Sequence, residues 1–321
     1  MKKIALEEHF ITPALTGYLE DTFQNINREL AERAVPRLLD LGANRLDAMD
    51  QCGLDLAILS IAGPGVQIEP DAILATRLAR EANEFLAEEI VKQPQRYGGL
   101  AHLAMQDPSQ AADELERCIT ELGFQGAMIN GQTLGVYLDA DRNEPFWERA
   151  AALKAPVYIH PGNPETKPEN YLGHDGLWGP FWGWGVETAT HALRLILAGV
   201  FDRHPDAQVI LGHMGETLPF MLSRFDSRLP ISYHPEPALK RDPSYYLRHN
   251  ITCTTSGVFD DVPLRCAMDA LGEDNVMFSI DYPFENEKIA TTWIDSAALS
   301  EEQRAKIYHG NAQRVLLNLP N

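Results

Sequence analysis

Cysteine is scarce and scattered in this chain. Its 321 residues hold four, Cys52, Cys118, Cys253 and Cys266, and none lies close enough to another to form the pairs of a zinc ribbon or redox motif. Basic residues are also in short supply: 27 Lys and Arg face 46 Asp and Glu, for a formal charge of −19. A surface this negative repels phosphate backbones and anionic lipid, so no nucleic-acid or membrane partner is expected. A small acidic substrate stays admissible where a metal or an arginine waits inside a pocket. No stretch approaches the ~18 consecutive apolar residues of a membrane span. The start of the chain meets acid at Glu7 with no apolar run behind it, so no secretory signal is expected. Low-complexity tracts, long linkers and short repeats are missing too. The expectation is a reduced, cytoplasmic enzyme in a single domain over 1–321, with 45% hydrophobic residues to build its core.

What is present is an alternation of short β-rich runs with longer amphipathic stretches. Strands are predicted over 3–9, 56–61, 97–103, 126–130, 156–161, 208–213, 250–255 and 276–281. Helices are predicted over 71–92, 108–122 (with Asp107 as N-cap), 186–201, 215–228 and 260–271. Three further helical stretches, 285–296, 300–308 and 309–317, follow the last strand. This periodicity points to a single (β/α)8 barrel with extra C-terminal helices. A doubly wound open sheet would show a glycine-rich phosphate loop after its first strand. The residues after His9 (Phe-Ile-Thr-Pro-Ala) contain none.

In such a barrel the chemistry sits where strands end. The first strand ends in Glu7-Glu8-His9, and alternation sends Glu7 and His9 to one side and Glu8 to the other. The fifth ends in His160, the sixth in His213 with Glu216 just beyond, and the eighth in Asp281. Four of eight strands thus deliver metal-ligating residue types to one rim. Of the ten histidines, the others (His102, His174, His191, His204, His234, His249 and His309) fall mostly in predicted helices or loops. The candidate metal set is Glu7, His9, His160 and Asp281, with His213 nearby. Mixed nitrogen and oxygen ligands suit one divalent ion, Mn2+ or Zn2+ with Mg2+ possible, and a catalytic site keeps a position open for substrate.

These residues resemble the amidohydrolase superfamily, whose ligands come from strands one, five, six and eight of the barrel. Its hydrolases usually open with His-x-His and place a bridging lysine after strand four. Here stand Glu7-x-His9 and Asn130, which imply a single metal. The decarboxylase branch is a closer match. The run Ala5-Leu-Glu-Glu-His-Phe10 looks like the non-oxidative hydroxybenzoate decarboxylases, as do Arg45-Leu-x-x-Met-Asp-x-x-Gly53, Leu59-Ser60, Phe124-x-Gly-Ala-x-x-Asn-Gly131 and His160-Pro161. So do Glu187-Thr-Ala-x-His-Ala-Leu-Arg-Leu195, Leu211-Gly-His-Met-Gly-Glu216 and Ser279-Ile-Asp-Tyr-Pro-Phe-Glu285. The resemblance runs in unbroken order from residue 4 to about 317.

The resemblance implies a metal on Glu7, His9, His160 and Asp281, with His213 and Glu216 assisting, and a homodimer or homotetramer. It implies a small aromatic acid as substrate. Direct loss of CO2 from a benzoate leaves an aryl carbanion; protonating the ring carbon that bears the carboxylate avoids this. An ortho hydroxyl enriches the ring and lets two oxygens chelate the ion. Asp281 is the expected proton donor, with His213 and Glu216 as shuttle. Expected substrate contacts are Arg224, which matches a family arginine, Asn130, Phe284 and Phe23. The segment 176–185 packs three of the five tryptophans into seven residues and is expected to wall the pocket or an oligomer contact. The alternatives on the same scaffold are a metal-dependent hydrolase of an ester, lactone or amide and a non-catalytic binder of small acids.

Overall fold

A computed structural model describes residues 1–24, 26–232 and 238–320; His234 lies outside the described residues. Eight parallel strands follow one another in chain order around a barrel. They are β1 (Ile4–Phe10), β2 (Leu56–Ile61), β3 (Tyr97–His102), β4 (Gly126–Asn130), β5 (Val157–His160), β6 (Val209–Leu211), β7 (Ile251–Thr254) and β8 (Val276–Met277). Side-chain alternation splits each strand between two cores. Ile4, Leu6, Leu56, Ile58, Leu100, Met128, Tyr158, Ile210 and Met277 fill the barrel interior. Ala57, Leu59, Ala101, Ile129, Val157, Ile159 and Val209 face the helix layer. Burying both faces of every strand is what a parallel barrel requires.

The expected helices form, with small shifts at their ends. Ala72–Lys92 is capped by Asp71, and Pro108–Thr120 by Asp107, whose carboxylate accepts the Ser109 and Gln110 N–H groups. After β8 come Glu287–Ser296, Glu301–Ala305 and Asn311–Val315. Ala312, Val315 and Leu316 of the last stretch plug the barrel interior beneath the strands, so the extra C-terminal helices close its floor.

The strands nearest the rim are shorter than expected. The eighth, predicted to run to 281, ladders to β7 only over Val276–Met277. From there the chain closes the barrel against β1 by a mixed seam. Asp281 N–H donates to the Glu7 carbonyl at 3.0 Å and His9 N–H to the Tyr282 carbonyl at 2.8 Å. Ser279 Oγ accepts Glu7 N–H at 2.6 Å, while the Glu8 carboxylate accepts Ile280 N–H at 3.0 Å. Helices that were not anticipated include Arg28–Leu39, Ala43–Cys52, Glu144–Leu153 and Pro243–His249. The first carries Pro36 within it and the others are short or weakly periodic.

Two histidines outside the rim serve the fold. His102 Nε2 accepts the Val66 N–H at 3.0 Å, and His191 Nε2 accepts the Leu138 N–H at 3.0 Å. Both must be neutral to accept. Burial pushes His102 down to about 3, and burial with a smaller effect of Arg194 does the same to His191. Both are neutral in folded and unfolded chains above pH 6.5. As pH falls from 6.5 toward 3 the unfolded chain binds protons the folded one refuses. Stability is therefore expected to fall by up to about 1.4 kcal/mol per pH unit for each histidine. Denaturant unfolding at pH 7, 6 and 5 checks this: His102→Gln should flatten the slope, and an unchanged slope would contradict it.

Candidate metal centre and active site

The rim begins with a backbone irregularity. Ala5 pairs with Ala57 but Glu8 pairs with Leu59, so β1 carries one extra residue between them. Such a bulge re-aims the side chains beyond it. Ile4 and Leu6 face the barrel interior, whereas after the bulge the odd-numbered Glu7 and His9 turn inward. Glu8 faces outward, toward Arg45 and the helix Ala43–Cys52. Without the extra residue Glu8 would stand in the pocket.

The expected metal ligands converge. One ligand atom each from Glu7, His9, His160 and Asp281 lies within 4.8 Å of all the others. His9 Nε2 stands 3.3 Å from Asp281 Oδ1, and His160 Nε2 stands 3.4 Å from Glu7 Oε1. Two donors bound to one ion at about 2.1 Å stand about 3.0–3.4 Å apart, so these separations fit a single ion between them. Glu7 Oε1, His9 Nε2 and Asp281 Oδ1 are buried with no hydrogen-bond partner. Buried lone pairs without partners are costly, and a shared cation satisfies all three. His9 Nδ1 lies 3.1 Å from Ser60 Oγ; donating there leaves Nε2 unprotonated and free to ligate. Burial and the neighbouring His9 push His160 well below the ordinary histidine range, which keeps it neutral for the same purpose.

His213 does not end a strand, as was expected. It opens a left-handed turn, with φ of 50° at His213, 57° at Met214, 76° at Gly215, 52° at Glu216 and 67° at Thr217. The helix expected from 215 starts only at Leu218. The turn brings His213 Nδ1 to 2.7 Å from Glu216 Oε1 and leaves His213 Nε2 3.7 Å from Asp281 Oδ2. Burial works against a charge on His213, but the Glu216, Glu7 and Asp281 carboxylates outweigh it and hold the imidazole well above its ordinary range. For Asp281 burial pushes upward, and the neighbouring His213 and His9 imidazoles prevail to hold it below the usual carboxylate range. At neutral pH the pair rests as imidazolium and carboxylate.

Above this floor opens a cavity of about 390 Å3. Its walls include Ile26 and, from the helix Arg28–Leu39, Leu30, with Phe181, Trp182 and Trp184 from the tryptophan-rich segment, Val258 and Phe284. The Phe284 ring centroid is 5.9 Å from that of His9. Thr22 lines the cavity, whereas Phe23 packs against the hydrophobic core. Asn130 is buried below the rim with Oδ1 unpartnered, its Nδ2 donating to the Ile61 carbonyl at 3.4 Å. Arg224 is exposed on the helix Leu218–Ser232 and does not line the cavity of its own chain.

Several supporting residues escaped the sequence reading. Arg45 is fully buried; it donates to the His9 carbonyl at 2.8 Å and lies 3.7 Å over the Tyr282 ring. It thereby pins the two backbone segments that carry the ligands. Tyr158, Thr254 and Ser256 surround Glu7. Hydroxyls at the end of a strand carry no distinctive spacing, so their role emerges only in three dimensions.

Two consequences can be measured. Removing an imidazole ligand by His160→Ala should cost stoichiometric metal, read by elemental analysis of purified protein; full occupancy would contradict the assigned site. Thr217 is exposed, β-branched and left-handed. Relief of that strain, less the backbone entropy of glycine, predicts that Thr217→Gly stabilises the protein by about 1 kcal/mol. A lower unfolding free energy would contradict it.

Comparison with known proteins agrees with this geometry. The amidohydrolase family model matches residues 32–317. A gamma-resorcylate decarboxylase from Polaromonas sp. (strain JS666 / ATCC BAA-500) is 43% identical over 325 residues, covering 98% of each chain. One from Rhodococcus jostii (strain RHA1) is 43% identical over 97% of each. Among solved structures, a 2,6-dihydroxybenzoate decarboxylase complexed with 2,6-dihydroxybenzoate superposes with a TM-score of 0.91 at 41% identity, over 98% of this chain and 99% of that one. The dihydroxybenzoic acid decarboxylase of Polaromonas sp. JS666, with bound manganese and the inhibitor 2-nitroresorcinol, does so with a TM-score of 0.91 at 43% identity, over 98% and 96%. The chain belongs to the amidohydrolase family, in the branch of the non-oxidative hydroxybenzoate decarboxylases.

Proposed function

We propose that the protein is a metal-dependent, non-oxidative decarboxylase of an ortho-hydroxybenzoate of the dihydroxybenzoate type, releasing CO2 and a phenol. The observation that carries this reading is the cluster of unpartnered ligand atoms at the floor of an aromatic-walled cavity. The relatives named above act on or bind molecules of this class. Glu7, His9, His160 and Asp281 would hold the divalent ion, which would supply positive charge to offset that of an acidic substrate. Mn2+ is our assignment, on the ligand set and the manganese in the Polaromonas relative; Zn2+ and Mg2+ are the other ions such ligands accept.

The chain's own residues supply orientation and the proton. Phe284 and the tryptophan-rich wall hold the ring and exclude water. The proton rests on His213, passes to Asp281 Oδ2 across the 3.7 Å gap, and is delivered to the ring carbon bearing the carboxylate. Cleavage of the C–C bond then restores aromaticity as CO2 departs. One proton is consumed per turnover, and Glu216 on His213 Nδ1 keeps the imidazole ready to be recharged from solvent. We also assign a homodimer or homotetramer: Phe181 and Phe220 are each 80% exposed, more apolar ring than a free surface favours, and Phe220 lies one helical turn from Arg224.

The test is product analysis with a panel of ortho-hydroxybenzoates, on protein as purified, after chelation, and after return of Mn2+, Zn2+ or Mg2+. Metal-dependent conversion to the matching phenol with CO2 is expected. An acid product from an ester, lactone or amide, without CO2, would favour the hydrolase instead. Asp281→Asn in metal-replete protein should remain folded and lose turnover by about 10²-fold or more; near wild-type activity would remove Asp281 as donor.

A further inference from the structure

We propose that Ser256 and Tyr158 are positioning residues that commit Glu7 to the metal through one oxygen and tie that carboxylate to His213. The inference rests on the metal-centre reading above and concerns residues to which no role has been given. The Tyr158 and Ser256 hydroxyls both donate to the same oxygen, Glu7 Oε2. Glu7 Oε1 has no partner. Thr254 Oγ1 lies 2.8 Å from Tyr158 Oη and 3.0 Å from Ser256 Oγ. With both of those protons committed to Glu7, the single Thr254 hydroxyl proton is donated to one of these two oxygens. Ser256 Oγ in turn accepts the His213 N–H at 3.1 Å. The chain therefore runs one way, from the His213 backbone through Ser256 to Glu7, and each link polarises the next.

The cradle is built closely. Glu7, Tyr158, Thr254 and Ser256 are all buried to within 1% of full burial. A Cβ on Gly212 would stand 2.7 Å from Glu7 Oε2 and 3.1 Å from both Ser256 Oγ and Tyr158 Oη. The backbone that leads into His213 is thus pressed directly on the clamp, and only glycine allows it. Two donors on one oxygen leave the other oxygen's lone pairs for the ion and disfavour a two-oxygen grip. They also account for an acid at this position: an imidazole has no second acceptor to offer two hydroxyl donors once one nitrogen ligates the ion.

The experiment measures Mn2+ affinity of metal-stripped protein by competition with a chelating dye, with melting of the metal-free protein alongside. Ser256→Ala and Tyr158→Phe are expected to bind Mn2+ about 10–100-fold more weakly, and Ser256→Thr, which keeps the hydroxyl, to bind nearly as wild type. Wild-type affinity in both deletion variants would overturn the proposal whatever their activity, as would weakening in Ser256→Thr as large as in Ser256→Ala. Should Ser256→Ala fail to fold, Tyr158→Phe and Ser256→Thr decide. At saturating Mn2+, Ser256→Ala should lower kcat more than Tyr158→Phe with KM unchanged, because only Ser256 also holds His213; equal kcat values would overturn that tie. Wild-type protein that binds Mn2+ but decarboxylates nothing would refute the proposed reaction and leave the clamp standing; wild-type protein that binds no Mn2+ would refute the metal centre itself.

Discussion

Two carboxylates and two imidazoles share one small volume, with three of their ligand atoms buried and lacking any hydrogen-bond partner. Without a cation that arrangement is costly, because desolvated charges and unpaired acceptors are left without partners. Much of the surrounding structure is arranged so that the cluster persists. Arg45 holds the His9 carbonyl, Ser60 Oγ meets His9 Nδ1 on the side away from the cluster, and Ser256 with Tyr158 occupies Glu7 Oε2. The barrel supplies rigid strand ends, and its closing seam between β1 and the segment after β8 is the place where Glu7, His9 and Asp281 meet.

Local backbone cost concentrates at the same place. The β1 bulge exchanges the parity of inward residues, and Asp281 sits at φ 78°. The left-handed turn over 213–217 includes four residues other than glycine, each disfavoured relative to a right-handed conformation. That turn sets His213 against Glu216 on one side and Asp281 on the other. Unfavourable torsions persist only where the surroundings over-determine them, and here the surroundings are the fully buried barrel core and the ligand set.

The barrel was legible because burial on both faces writes itself into strands such as Leu56–Ile61 as an apolar run, and because Asp71 and Asp107 announce their helices as N-caps. The metal set was legible because ligand residue types recur at successive strand ends. The left-handed turn was not, since Gly215 is its only glycine and Met214 or Thr217 gives no sign of positive φ. The bulge was hidden as well: alternation alone makes Glu7 and His9 share a side but does not say which side is the pocket. Arg224 was singled out by likeness alone, and its own chain leaves it exposed on the outer face of a helix. Phe23 and Thr22 contrast at closer range, where one residue's step along the short helix Leu19–Phe23 decides which side chain reaches the cavity.

The most direct measurement is anomalous diffraction from crystals grown with Mn2+, recorded on both sides of the manganese edge. A single peak about 2.0–2.3 Å from Glu7 Oε1, His9 Nε2, His160 Nε2 and an Asp281 oxygen is predicted. No peak among these four residues, or a pair of peaks bridged by one of them, would contradict a single-ion centre.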